Sequence, residues 1–335
     1  MGASLEDVAA AAGVSTATVS RALRGLPSVT EKTTAKVRAV AEKLGYIPSK
    51  SASSLASGKT RSVGLVVPAI SRWFFATALE GAEDALREAD YDALLYSLPD
   101  RIPPRKRFDA DVLRSRVDAV LVASISFDSQ EVEALRSLSL PAVFISIPEE
   151  GFPFVGIDDY EAAKTAVRHL IGLGHRFIGH ISGAITDRNP ASPTPLREKG
   201  WRDALLEAGL VPSTNLVAPT DMSAESGYLA ADTLIERNPD MSAIFAASDE
   251  TAMGAMAAIR GHGLVPGEDI SVIGIDGHNL GNIVGLSTVA QPVYEQGVQA
   301  AQLLLDALEH GNSEVERHVF ETELIQRAST APARD

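Results

Sequence analysis

Residues 4–21 read Ser-Leu-Glu-Asp-Val-Ala-Ala-Ala-Ala-Gly-Val-Ser-Thr-Ala-Thr-Val-Ser-Arg. Leu5, Val8, Ala9 and Ala12 recur at i, i+3, i+4 and i+7, the spacing that lines one face of a helix. Ser4 is a suitable N-cap, and Asp7 three residues later approaches a capping box. Gly13 ends that helix, because a tight left-handed turn costs glycine little. Ser15 can then cap a second short helix with Val19 and Leu23 on its buried side. Two short helices about a glycine turn make a helix-turn-helix, whose second helix enters the DNA major groove by its N-terminal end. The same spacing fits an ordinary helical hairpin, so the choice between them rests on the rest of the chain.

At 335 residues and 45% hydrophobic content, the chain can bury a sizeable core and should hold two or three domains. It has no cysteine, which excludes a disulfide framework and any thiolate nucleophile or metal site. The alanine-rich N-terminus is interrupted by Glu6 and Asp7, unlike a secretory signal, and no apolar run reaches the length of a membrane span. A cytoplasmic location is expected. The net charge of −14 is unevenly distributed: residues 1–60 hold eight Lys or Arg against four acids. A small basic module on a large acidic body is expected when only one end meets phosphate.

A third helix should follow Thr30 and run to Leu44, with Val37, Val40, Ala41 and Leu44 on one face, before Gly45 and Pro48 stop it. Residues 49–60, SKSASSLASGKT, read as a linker with one large apolar residue, Leu55. From Ser62 short apolar runs alternate with stretches long enough for crossover helices. The runs are SVGLVV (62–67), DALLYS (92–97), AVLVAS (119–124), AVFISI (142–147), FIGHIS (177–182), AIFAAS (243–248) and SVIGID (271–276). That alternation implies parallel, doubly wound α/β sheets, and the number of strands implies two of them. Ligands in such folds lie off the C-terminal strand ends, so residues just after each run deserve most scrutiny. Catalytic chemistry finds little support. There is no Walker A sequence and no strand-turn-helix Gly-x-Gly-x-x-Gly, and the seven histidines lack metal-ligand spacing. No catalytic residue, cofactor or metal is expected, and His175, ahead of an apolar strand, reads as structural.

With these features assembled, the chain resembles the LacI/GalR family of bacterial transcription repressors along almost its whole length. The likeness is carried by LEDVAAAAGVSTATVSRAL and VRAVAEKLGYIPS in the head. In the body it is carried by Leu173-Gly174-His175-Arg176, Arg197-x-x-Gly200-Trp201, SDETAMG (248–254), SVIGIDG (271–277), STVAQP (287–292) and ELIQR (323–327). The resemblance implies a headpiece over 1–48, a hinge over 49–61, and a two-lobed periplasmic-binding-protein-like core over 62–335. Lobe 1 would take about 62–160 and 291–322, and lobe 2 about 161–290 and 323–335. It implies a homodimer on a pseudo-palindromic double-stranded operator, one headpiece per half-site. Carried onto this chain, Thr16 and Ala17 sit at the base-choosing positions, and Arg21 suits a bidentate contact to guanine. Thr18 and Ser20 suit phosphate contacts. Leu55 matches the hinge leucine that wedges into a minor-groove step. Ser53 departs from the arginine common there.

The resemblance also implies a small-molecule effector between the lobes. The implied contacts are Phe74 and Phe75, stacking on the ligand, with Ser124, Arg197, Met222, Asp249, Asp276 and Gln291. Arg72 is a further candidate; Asp158 reads as a contact or, preferably, a helix cap. Sugar-sensing members often carry Asn-Pro ahead of the two phenylalanines, where this chain has Arg72-Trp73. That departure, with Arg197, points toward a sugar phosphate or sugar acid besides a plain sugar. A protein coregulator in place of a small molecule is the alternative. A transport receptor of the same fold is disfavoured by the DNA head. The polar tail after Arg327 has no leucine heptad, which favours a dimer over a tetramer.

Overall fold

The computed structural model describes residues 3–23, 25, 28–46, 58–98, 108–183, 189–311 and 315–334. Leu55 and Ser53 lie outside the described residues. The chain divides into two units, Met1–Arg61 and Ser62–Asp335.

The first unit holds α1 (Leu5–Ala12), α2 (Thr16–Leu23) and α3 (Glu31–Leu44). Its core is made of small side chains, Val8, Ala9, Ala12, Val19, Ala22, Val37 and Ala41. So small a core contributes modest burial, which raises the importance of the helix ends. The N-termini of all three helices and the C-termini of α1 and α3 are capped. Ser4 and Asp7 form a reciprocal capping box, and Thr30 accepts from the Thr33 N–H. Ser15 Oγ accepts from the Thr18 N–H at 3.1 Å. Gly13 and Gly45 close α1 and α3 at φ 64° and 63°. Ala22 rather than Leu23 joins Val19 as a fully buried residue of α2, and Leu44 is exposed; short helices turn only part of their predicted face inward.

The second unit contains two six-stranded sheets. The lobe 1 sheet has β1 (Ser62–Val67), β2 (Asp92–Ser97), β3 (Ala119–Ala123), β4 (Ala142–Ile145), β5 (Phe154–Ile157) and β11 (Arg317–Phe320), in the order β11-β5-β4-β3-β1-β2. The lobe 2 sheet has β6 (Ile178–Ser182), β7 (Val217–Pro219), β8 (Ala243–Ala246), β9 (Ser271–Asp276), β10 (Ser287–Ala290) and β12 (Glu323–Ile325), in the order β12-β10-β9-β8-β6-β7. All pairings are parallel except β10 with β12. β1, β3 and β9 are buried along their whole length, which is why their sequences are continuous apolar runs rather than alternating ones.

Helices cover both faces: α4 (Trp73–Glu88), α5 (Ser129–Ser137) and α11 (Val293–His310) on lobe 1, and α6 (Asp159–Gly172), α7 (Pro193–Glu207), α8 (Ala224–Arg237) and α9 (Asp249–Gly261) on lobe 2. A short α10 (Gly281–Val284) follows β9. Glycines set how closely these helices pair. A Cβ on Gly81 would sit 2.1 Å from the Tyr294 carbonyl oxygen, and one on Gly297 2.0 Å from that of Ala78, so α4 and α11 meet backbone to backbone. Gly227 and Gly254 do the same for α8 and α9. His175 is buried and bonds Ser242 Oγ, Ser271 Oγ and the Ala331 carbonyl, tying the C-terminal tail to lobe 2. The chain passes between lobes at 158, at 291–292 and at 321–322.

Candidate functional site

A cavity of about 260 Å³ lies between the lobes. Lobe 1 supplies Pro68, Arg72, Phe74, Phe75, Ser124 and Ser146; lobe 2 supplies Thr194, Arg197, Met222, Glu250 and Asp276 among others. All these residues follow a strand's C-terminal end or open the next helix, where a doubly wound sheet leaves a crevice. Backbone strain concentrates here. Ser124, Ser146, Met222 and Asp276 line the cavity with φ of 52°, 71°, 68° and 136°. Such angles cost a non-glycine residue about 1–3 kcal/mol, and they persist where surrounding structure enforces them, which is characteristic of binding sites.

Phe74 and Phe75 meet edge to face at 5.4 Å and 85°. Both line the cavity and both pack on the lobe 1 core, so a ligand ring would find a rigid apolar wall. On the opposite side Arg197 is 5% exposed. Its Nε and Nη2 donate to Asp159 Oδ1 at 2.8 and 2.6 Å, and Nη1 donates to the Ala247 carbonyl. Burial pushes the Asp159 carboxyl up, while the charge and hydrogen bonds of Arg197 pull the other way and favour the carboxylate. Burial alone would lower the Arg197 pKa, but Asp159, Asp276 and Asp249 outweigh it and hold the guanidinium charged.

Asp276 accepts from Gln291 Nε2 at 2.8 Å, and Gln291 Oε1 accepts from Gln296 Nε2 at 2.9 Å. This relay runs from the cavity through a lobe crossover into α11. Burial pushes the Asp276 carboxyl up to about 7, with Arg197 pulling the other way and neighbouring Asp249 adding to the rise.

Several sequence expectations need correction. Asp249 does not line the cavity: it is fully buried, and its Oδ2 accepts the Gly277 and His278 N–H groups at 2.9 and 2.8 Å, so it builds the loop after β9. Gln291 stands behind the wall, acting on Asp276 rather than facing the cavity. Asp158 caps α6, accepting from the Glu161 N–H at 3.0 Å. Arg72 lines the cavity but donates to the Asp221 carbonyl at 2.6 Å, with the Asp221 carboxylate at 3.6 Å and Glu250 nearby. Both arginines expected to await an acidic ligand are therefore balanced by protein carboxylates, and Asp276 adds a further acid to the wall. That removes the charge argument for a phosphate or sugar acid.

Ser146, Thr194, Asp221 and Glu250 line the cavity without having been anticipated. Ser146 follows β4 and was accessible to the same strand-end argument that selected Ser124; the others carry no local signal.

In the first unit, Thr16, Ala17 and Arg21 are exposed on α2, while Thr18 and Ser20 are half-buried. The Thr18 hydroxyl shares a 2.9 Å bond with Ser15, which fixes the start of the helix. Among the described residues no group of three His, Cys, Asp or Glu is placed to hold a metal ion, and no helix is long and apolar enough to cross a membrane.

Comparison with known proteins matches residues 4–49 to the bacterial regulatory proteins of the lacI family and residues 167–330 to a periplasmic binding protein-like domain. Catabolite control protein A of Priestia megaterium is 34% identical over 308 residues, covering 91% of this chain and 92% of its own. The solved complex of the transcriptional regulator CelR with cellobiose superposes with a TM-score of 0.71 at 31% identity, covering 98% of this chain and 99% of that one. The lac repressor dimer bound to operator and the anti-inducer ONPF has the same fold, with a TM-score of 0.84 at 24% identity over 99% of this chain and 100% of that one.

Proposed function

The chain belongs to the lacI family of bacterial regulatory proteins, and on that footing we propose that its DNA affinity is set by a neutral, polyhydroxylated metabolite bound between the lobes. The observation that carries this is the cavity walled by side chains of both lobes, with two phenylalanines facing a buried arginine and carboxylate. The protein acts as a transcriptional regulator, a repressor in this reading, in the cytoplasm and without a catalytic role. As a homodimer it engages a pseudo-palindromic operator. Thr16, Ala17 and Arg21 meet base edges, Thr18 and Ser20 meet phosphates, and Leu55 wedges the minor groove.

A sugar ring stacks on Phe74 and Phe75 while its hydroxyls bond Ser124, Arg197 and Asp276. Because the ligand touches both lobes, it favours one lobe arrangement by its differential affinity for that arrangement, and it can shift DNA binding by no more than this difference. The relay from Asp276 through Gln291 to Gln296 connects the ligand's own bond to a lobe crossover.

A thermal-shift panel of neutral sugars, nucleosides, purine bases, sugar phosphates and sugar acids tests the reading. A neutral sugar at a hundred times its dissociation constant should stabilise the protein by about 2.7 kcal/mol, with phosphates and acids silent. Hits confined to phosphates or acids would overturn the neutral-ligand assignment, and silence throughout would favour a protein coregulator.

Proton linkage follows from Asp276. A hydroxyl donor favours the carboxylate, whereas burial in the cavity wall pushes its pKa up to about 7. Binding should therefore release a proton below that pH. Affinity should rise with pH by up to about tenfold per unit and level off above it. Calorimetry in buffers of different ionisation enthalpy reads the released proton directly. An affinity flat from pH 5 to 8 would contradict the role of Asp276.

A further inference from the structure

Arg72 occupies the N-cap of α4, where Ser, Thr, Asp or Asn usually accepts a hydrogen bond from the first turn; it makes no such bond. Glu250, in the first turn of α9 on the other lobe, lies close to the start of α4: burial raises its carboxyl, while the charge of Arg72 and the Trp73 backbone N–H pull the other way. Arg72 itself reaches across the cleft to Asp221 and keeps only 13% of its side chain exposed. Burial raises the Asp221 carboxyl, but hydrogen bonds from Ser223 and Ser226 and the charge of Arg72 bring it down to about 2, so it stays an anion.

Trp73 stacks on the buried His278 with ring centroids 4.9 Å apart and planes at 29°. His278 is held in turn, with Nδ1 accepting the Leu280 N–H at 3.0 Å and its own N–H bound by Asp249. One dipeptide of lobe 1 thus touches the segments that follow β7 and β9 of lobe 2, and Arg72 shares the cavity wall with Glu250 after β8.

We propose that Arg72 and Trp73 are positioning residues, a latch that holds the two lobes in the arrangement that forms the cavity. The latch lowers the conformational cost of ligand capture, since the competent arrangement is already populated. This regulatory consequence rests on the cleft reading above; the latch itself does not.

The test uses the full-length protein without ligand. Because the chain has no cysteine, Glu133→Cys on α5 and Glu236→Cys on α8, both exposed, give one nitroxide per lobe. Labelled protein diluted into unlabelled protein reports the intrachain distance by pulsed electron resonance. The parent should give one narrow distribution. Arg72→Ala with Trp73→Ala, and separately His278→Ala from the opposite lobe, should each add a second, longer population. Circular dichroism selects the variants that remain folded. Distributions that superpose on the parent in folded variants would overturn the latch.

A second readout needs only Arg72→Ala. Of the two tryptophans, Trp201 is 1% exposed and closed to collisional quenchers, so acrylamide reports Trp73. Quenching should rise severalfold, and Arg72→Lys should bring part of it back. Unchanged quenching would contradict the latch. Neither measurement involves an effector, so a failed ligand panel and a failed latch are separable.

Discussion

Arg197→Met should destabilise lobe 2 by about 3–5 kcal/mol, well beyond the effect of losing a ligand contact. The change leaves the Asp159 carboxylate, 4% exposed, without its partner, and deprives the Ala247 carbonyl of its donor. A buried unpaired charge is expensive because nothing replaces the lost water. Asp159→Leu combined with Arg197→Met should recover much of the loss, since two apolar side chains need no compensation. Denaturant unfolding followed by Trp201 emission reads the effect locally, because Trp201 lies on α7 with Arg197 and donates to the Ile178 carbonyl at 3.1 Å. A single-variant loss below about 1 kcal/mol would show that the pair is screened as a surface pair would be. On the proposed reading the double variant should recover stability without effector binding, which separates the structural role of Arg197 from its place in the cavity wall.

Gly254→Leu should be as damaging for a different reason. Any Cβ at this position lies 2.0 Å from the Ala224 carbonyl oxygen and 2.7 Å from the Tyr228 nitrogen, both backbone atoms that cannot rotate away. Helices α8 and α9 must separate, opening the contact that Gly227 makes from the other side. Overpacking a core ordinarily costs about 1–3 kcal/mol, and a collision with backbone should reach or exceed the top of that range. Gly172 is the contrast. It ends α6 with nothing within 4 Å of a Cβ and no positive φ, so Gly172→Ala should stabilise by up to about 1 kcal/mol. Thermal melting of the two variants should move in opposite directions. Stabilisation of both variants would mean that helix propensity, rather than the close approach, dominates at Gly254.

The headpiece was almost fully legible because its determinants are local. Ser4, Ser15, Thr30, Gly13 and Gly45 act within one turn of their own position, and the structure uses each as a cap. The long apolar runs were legible for a related reason: strands buried on both faces are predominantly apolar. The strands that escaped notice were short, exposed or interrupted. β5 has only four residues and contains Gly156, β7 ends in Pro219, and β11, with Arg317 and His318, is largely exposed. Their backbone groups are recruited by a neighbouring strand already in place, an effect no single segment advertises.

The candidate site divides along the same line. Ser124 and Asp276 could be selected because they end buried strands, and the fold places strand ends at the crevice. The identity of the groups still available to a ligand is a different matter. Arg72 and Asp221 stand 149 residues apart, yet their contact removes the free cation that the dipeptide Arg72-Trp73 had suggested. Asp249 likewise follows β8, at the start of α9, like a ligand contact, but turns inward to accept from two N–H groups. Periodicity, caps and apolar runs therefore determined the helices, the sheets and the two-unit plan, because those signals act over a few residues. Which charges remain unpaired depends on groups distant in sequence that meet only in the packed chain, and where the meeting is buried, as for Arg197 with Asp159, the pairing is energetically decisive.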